Sequence, residues 1–213
     1  MAAPERVPTS KALRFTTFLA AALLAPVAAE APPATPPPLQ AAPPHKEKAD
    51  RIYYPAHSES EWIGGGHHFP IRSLLNIRKK MRFGDFVWNE KDVPAGPSWI
   101  LVDLSLQTIS VFRAGHEIGS AVILYGSDGT PTPTGLFAII ERDQRHRSTL
   151  YDADMNYMLR LTMDGVAIHA SSVREGYATH GCIGIPNGFA AHLFSAMRKG
   201  DVVAIRQHAA SAT

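Results

Sequence analysis

From residue 99 onward the apolar positions follow the short period of β-strands. Residues 99–104 (WILVDL) and 108–113 (TISVFR) are rich in β-branched and aromatic side chains and are separated by the polar turn Ser105-Leu106-Gln107; Ala114-Gly115 then leads into a third run over 118–125. This pattern predicts an antiparallel meander. Residues 126–135 (GSDGTPTPTG) are punctuated throughout by Gly and Pro and read as a loop. Strands are expected again at 136–140, 158–161 and 166–169, the last two joined by a turn at Asp164-Gly165. Phe189, Leu193, Phe194 and Met197 recur at helical spacing, Gly200 supplies a stop, and 201–206 reads as a closing strand. The expectation is a mainly β domain with one late helix and no internal repeat.

Upstream the signals are mixed. Residues 51–97 carry aromatics at Tyr53, Tyr54 and Trp62, a Gly64-Gly65-Gly66 loop followed by His67-His68, and Pro70 opening a short helix with Ile71, Leu74, Leu75 and Met81 on related faces. About 45 residues is marginal for an independent core, so this segment is expected to be an ordered extension covering part of the domain at 98–207. Residues 30–50 are dominated by Pro and Ala and read as a disordered tether, and 208–213 as a tail. Residues 1–29 combine a basic start (Arg6, Lys11, Arg14), an apolar run at 15–29 interrupted by Pro26, and small residues at Val27-Ala28-Ala29. That is the pattern of a secretory signal cut after Ala29, and the run is short of the roughly 20 residues that span a bilayer. Membrane attachment is expected only through this segment, if it stays uncleaved.

Charge then narrows the partners. The precursor carries +2, but residues 1–29 hold three of its cations and one carboxylate, so their removal leaves cations and carboxylates equal in number. Nothing recommends nucleic acid as a partner. A hydrophobic content of 45% is ordinary for a globular protein with a real core.

Candidate chemistry centres on 178–186 (ATHGCIGIP), which holds the chain's single cysteine, Cys182. One cysteine makes no internal disulfide, so in an exported protein it is either buried and inert or free and reactive. A thiol becomes a nucleophile when a histidine takes its proton or pairs with the thiolate. His180 lies two residues before it, and His169 ends the apolar run Val166-Ala167-Ile168, a rigid place from which to aim a ring. Gly181 and Gly184 permit backbone conformations in which amide N–H groups converge on a developing oxyanion.

These residues resemble the L,D-transpeptidase catalytic domain family, whose signature is a histidine followed, after a variable loop, by Ser/Thr-His-Gly-Cys; here His169 is followed by nine residues and then Thr179-His180-Gly181-Cys182. Other family-like pieces stand in order: VDLSLQTISVF at 102–112, a hydrophobic strand ending at Gly126, Thr132-Pro133-Thr134-Gly135 followed by Phe137, and MNYMLRL at 155–161. The resemblance covers about half of the chain. It implies a β-sandwich or barrel with one or two short helices, with Cys182 as nucleophile and His169 as base. The carbonyl of Ala170 would hold the far ring nitrogen of His169, and the sulfur would be kept ionised by that imidazole. His180 and Gly181 would shape the oxyanion hole with the Cys182 amide, Thr179 would support the turn, and Tyr157 and Thr134 would border the substrate. The family departs from this chain at Gly184, where many relatives carry Arg or Asn, and in the short loop after His169. The implied reaction is acyl transfer on peptidoglycan stem peptides in the periplasm or cell envelope, giving 3→3 cross-links, or L,D-carboxypeptidase hydrolysis if water is the acceptor. No metal or organic cofactor is required, and carbapenem β-lactams are implied as acylating agents.

Other readings of the same residues stay open. Cys182 could be a small buried hydrophobe. His169, His180 and Cys182 are proper zinc ligands, but a structural site wants a fourth and there is no second cysteine. His67-His68 after three glycines reads as a solvated loop. The fold could also serve as a non-catalytic wall-binding module.

Overall fold

The computed structural model describes residues 46–48, 50–54, 60–62, 68–148 and 153–207. The expected signal segment, most of the tether, the Gly64-Gly65-Gly66-His67 loop and the tail lie outside the described residues. The elements in chain order are β1 (Lys46–Lys48), β2 (Arg51–Tyr53), β3 (Ser60–Trp62), β4 (His68–Pro70), β5 (Ser73–Leu75), β6 (Phe86–Trp88), β7 (Ser98–Asp103), β8 (Thr108–Arg113), β9 (His116–Val122), β10 (Gly135–Ala138), β11 (Glu141–Arg147), β12 (Asp154–Arg160), β13 (Ala167–Ser171), β14 (Ile183–Pro186), α1 (Asn187–Ala196) and β15 (Val202–Arg206).

The meander appears as β7, β8 and β9, the central strands of a nine-stranded sheet ordered β1-β2-β5-β9-β8-β7-β15-β10, with β6 also on β9. A second sheet runs β11-β12-β13-β14, and β3 with β4 forms a separate hairpin. Side-chain alternation on β7 explains the layers. Ile100 and Val102 join Ile109, Val111, Ile118, Ile168, Ile183, Ile185 and the helix residues Phe189 and Leu193 in one core. Trp99 and Leu101 point to the opposite face. There Phe112 and Ala204 complete a smaller cluster, against which Phe69, Ile71 and Leu74 of the upstream segment pack. Phe69 stacks on Trp99 at 4.8 Å and Trp99 on Phe112 at 4.3 Å. The mainly β class therefore holds, with α1 as the helix among the described residues.

Three local expectations are corrected. The short helix opening at Pro70 is absent. The amide of Arg72 donates to Gly115 and its carbonyl accepts from Tyr54, while the Leu75 amide donates to the Glu117 carboxylate at 2.8 Å. These neighbouring-strand partners take the groups a helix would need internally, leaving β4 and β5. The tether ends sooner than residue 50: residues 45–54 hold no proline to remove a donor, and β1 pairs antiparallel with β2. Finally, β11 (ERDQRHR) has no apolar alternation to announce it, yet it pairs along its length with β12.

The upstream segment is held by a buried polar cluster. Arg51, 2% exposed, donates to the carbonyls of Glu117 and Asn89 at 2.6 Å each, and Glu117, 5% exposed, also accepts from the Ser110 hydroxyl at 2.7 Å. Burial pushes the Glu117 carboxyl above the usual range, and its three polar neighbours, led by the Leu75 amide and including Arg51, pull it back. Removing the carboxylate strands the Leu75 amide and the Ser110 hydroxyl and takes a nearby countercharge from Arg51, whose own hydrogen bonds to backbone carbonyls remain. We expect Glu117→Ala to cost about 3 kcal/mol of unfolding free energy, measured by urea denaturation; a loss under about 1 kcal/mol would show that the cluster does not hold the segment.

Candidate active site

The site is assembled where β13 and β14 run parallel, with Ile168 opposite Ile183, His169 opposite Gly184 and Ala170 opposite Ile185. The isoleucines and Ala170 face the core, so alternation sends Ala167, His169 and Gly184 to the other face. Cys182, one residue before β14, follows them: it packs against Ala167, Met155 and Met158. Met155 and Met158 are three residues apart and would face oppositely in a regular strand. Between them Tyr157 sits at φ +56°, and this break in the alternation brings both methionines to one side.

Cys182 opens on a cleft of about 300 Å³ whose walls include Thr130, Pro131, His146, Arg160, Gly165, His180 and Gly181. The loop carrying it is pinned by hydroxyls. Thr179 Oγ1 donates to the Cys182 carbonyl at 2.5 Å, and Thr132 Oγ1 donates to the Gly181 carbonyl at 3.0 Å while accepting from the Gly126 amide at 2.9 Å. With the Gly181 carbonyl held, planarity of the trans peptide fixes the Cys182 N–H in the opposite direction. Gly181 adopts φ +103°, a conformation that a side chain at this position would strain. Backbone bridges from Leu124 to Gly184 and from Tyr125 to Thr179 then tie this loop to the larger sheet.

His169 Nδ1 lies 2.9 Å from the Ala170 carbonyl. A carbonyl only accepts, so Nδ1 carries the proton and Nε2 presents its lone pair. The sulfur, however, donates to the Gly165 carbonyl at 3.6 Å. Burial pushes the Cys182 thiol up, opposed by the Ala167 amide and the charge of Arg160. Burial likewise holds the His169 ring below the usual imidazole range, opposed by Ala170 and reinforced by repulsion from His146. Desolvation thus disfavours the charged form of each group, against the expectation of a resting thiolate held by imidazolium.

Of the other anticipated residues, His180 and Gly181 line the cleft with Cys182, and Thr179 supports the turn from behind. Tyr157 does not line the cleft. It packs edge-on against Phe194 of α1, with 5.8 Å between ring centroids. Thr134 is exposed and also outside the cleft; within Thr-Pro-Thr-Pro-Thr-Gly it is the buried Thr132 that reaches the cysteine loop. Gly184 offers no side chain because a Cβ there would stand 3.0 Å from that of Ser171. His146, with Nδ1 3.4 Å from an Asp143 oxygen, and Arg160 were not anticipated. His146 sits on the polar strand that sequence patterning passes over, and Arg160 lies within a motif read for its other residues. Among the described residues no cluster of three or more His, Cys, Asp or Glu side chains suits a metal ion, and no helix is long and apolar enough to cross a membrane.

Fold and cleft together define a mainly β domain that displays one thiol and one oriented imidazole from adjacent parallel strands. The family model of the L,D-transpeptidase catalytic domain (YkuD) matches residues 97–205, half of the chain, and the protein belongs to that family. The curated L,D-transpeptidase 1 of Mycobacterium tuberculosis is 28% identical over 122 residues, which make up 49% of this chain and 49% of that protein. The chain thus spans about half the length of the curated relatives it matches. Among solved structures, an L,D-transpeptidase from Stackebrandtia nassauensis aligns with TM-score 0.49 and 23% identity over 53% of this chain and 57% of that one. One from Mycobacterium smegmatis aligns with TM-score 0.48 and 21% identity over 51% and 58%.

Two outcomes follow from the geometry. Thr132→Val keeps the shape but orphans the Gly126 amide and the Gly181 carbonyl, so turnover should fall at least about tenfold, whereas Thr134→Val should leave it unchanged; equal effects on kcat would remove Thr132 from the site. The upward push on the Cys182 thiol should also show in the pH profile of alkylation by iodoacetamide, with the rate still rising above about pH 8.5, the free-thiol value, and no plateau from pH 6 upward. A neutral-pH plateau would restore the ion pair.

Proposed function

We propose that the protein is an exported acyltransferase that works on peptidoglycan tetrapeptide stems through a thioester on Cys182. The supporting observation is that Cys182 sits one residue before β14, which runs parallel to β13, the strand that carries His169 with Nδ1 of its ring committed to Ala170.

The reaction then follows from the tautomer. As a bound stem positions the carbonyl of its third residue at the sulfur, the thiol turns from the Gly165 carbonyl and Nε2 of His169 takes its proton. The tetrahedral oxyanion is met by the Cys182 amide and its neighbours in the pinned loop. Collapse breaks the peptide bond, His169 returns the proton to the departing D-Ala amine, and a thioester remains. In the second half an acceptor amine attacks, His169 takes its proton, and the sulfur leaves and is reprotonated. If the amine belongs to the third residue of another stem the product is a 3→3 cross-link; water in its place gives a tripeptide. A strained β-lactam carbonyl of the carbapenem type would enter the same first step and stop there.

The test is incubation of the chain without residues 1–29 with purified disaccharide-tetrapeptides, followed by mass analysis. Dimers lacking one D-Ala are expected, and Cys182→Ala or His169→Ala should lower their formation by about a thousandfold or more. Tripeptide alone would assign hydrolysis. Neither product, together with no carbapenem adduct on Cys182, would leave a non-catalytic wall-binding module.

A further inference from the structure

The cleft has a fixed charge that the acyl-transfer steps do not use. Among the described residues lining it, Arg160 is the one Arg or Lys side chain, and the other polar side chains there include His146, His180 and Asp164. Its place is set by the strand ladder. Arg160 stands opposite Ala167 on antiparallel strands, so both project from the same face, and Ala167 is the residue the Cys182 side chain packs against. On the other side Arg160 stands opposite Glu141, and its Nε donates to Glu141 Oε2 at 2.6 Å. That single bond aims the guanidinium, while its two terminal nitrogens make no further hydrogen bond among the described residues. The side chain keeps 23% of its surface exposed, so it is anchored at one edge and open at the other.

A reaction that expels one terminal residue brings a carboxylate to this wall. In the expelled residue the carboxylate carbon lies roughly 4 Å from the carbonyl carbon under attack, the span of one peptide unit. With the sulfur at that carbonyl, the carboxylate stays within the cleft that Cys182 and Arg160 both line. A planar guanidinium offering two parallel N–H groups matches a carboxylate better than any other side chain does.

We propose that Arg160 sets donor specificity by taking the free carboxylate of the residue that is expelled, so that the donor must end one residue beyond the bond that breaks. Glu141 is the positioning residue that holds the guanidinium edge. The proposal rests on the acyl-transfer reading above and adds to it a requirement on the donor's terminus.

The experiment compares a tetrapeptide donor bearing a C-terminal carboxylate with the same peptide as its carboxamide. The unaltered protein should favour the carboxylate by roughly ten- to a hundredfold in kcat/KM. Arg160→Gln should bring the two peptides to within about twofold of each other, and Arg160→Lys should keep part of the preference. Because Arg160 also eases ionisation of the thiol, its removal slows both peptides; the ratio cancels that effect. Equal use of both peptides by the unaltered protein would overturn the proposal, as would an undiminished preference in Arg160→Gln. No turnover of either peptide by the unaltered protein would overturn the acyl-transfer reading along with it, whereas normal turnover without discrimination would remove only the role of Arg160.

Discussion

Everything chemical in this domain depends on the parallel register of β13 against β14. Opposing residues in a parallel pair share a face, and a slip of one position would exchange every inward and outward side chain. With Ile168 on Ile183 and Ala170 on Ile185, the apolar residues fill the core. Ala167 and His169 are thereby left to the opposite face, and Cys182, which precedes β14, lines the cleft. The burial of four aliphatic side chains, each worth about 1.5–3 kcal/mol for the larger ones, thus fixes which way a thiol and an imidazole point.

The register alone would leave the cysteine loop free to pivot, and the second constraint comes from the other sheet. Leu124 and Gly184 exchange both backbone hydrogen bonds, and Gly126 and Thr132 reach the loop two residues before and at Gly181. Such close approach demands bare backbone. A Cβ on Gly126 would stand 2.1 Å from the Thr130 carbonyl oxygen, and one on Gly184 would press on Ser171 and Leu124. A side chain at 184 would need Ser171 to give way by a few tenths of an ångström, so the bare backbone relieves the junction of the sheets at this point. The cleft walls beside Cys182 are supplied instead in part by β11, β12 and the turn at Gly165.

The sequence made the strands of the larger sheet legible because β7 and β15 are apolar on both faces and β8 alternates polar with apolar residues, and it made the cysteine legible because Thr179-His180-Gly181-Cys182 is a compact local motif. It hid β11, whose charged residues carry no period, and with it His146. It also misplaced Tyr157 and Thr134. Both choices depended on which way one side chain turns: Tyr157 lies at a left-handed backbone position that sends it to Phe194, and the three threonines of one loop differ only in burial. The helix expected after Pro70 failed because the hydrogen-bond partners offered by β9 and the Glu117 carboxylate are far away in sequence.

Burial shifts both the Cys182 thiol and the His169 ring away from their charged forms. Burial raises the thiol and lowers the imidazole, so charge separation between them is disfavoured until a ligand brings a carbonyl on which negative charge is passed along as it forms. The sulfur waits on the Gly165 carbonyl, an acceptor that stabilises the thiol but offers nothing to a thiolate. Oxidants and adventitious electrophiles attack the thiolate form, so a sulfur held this way is protected in the absence of ligand. The Ala167 amide and Arg160 oppose burial from the cleft side. Burial on one side and these two groups on the other therefore act on the thiol in opposite directions.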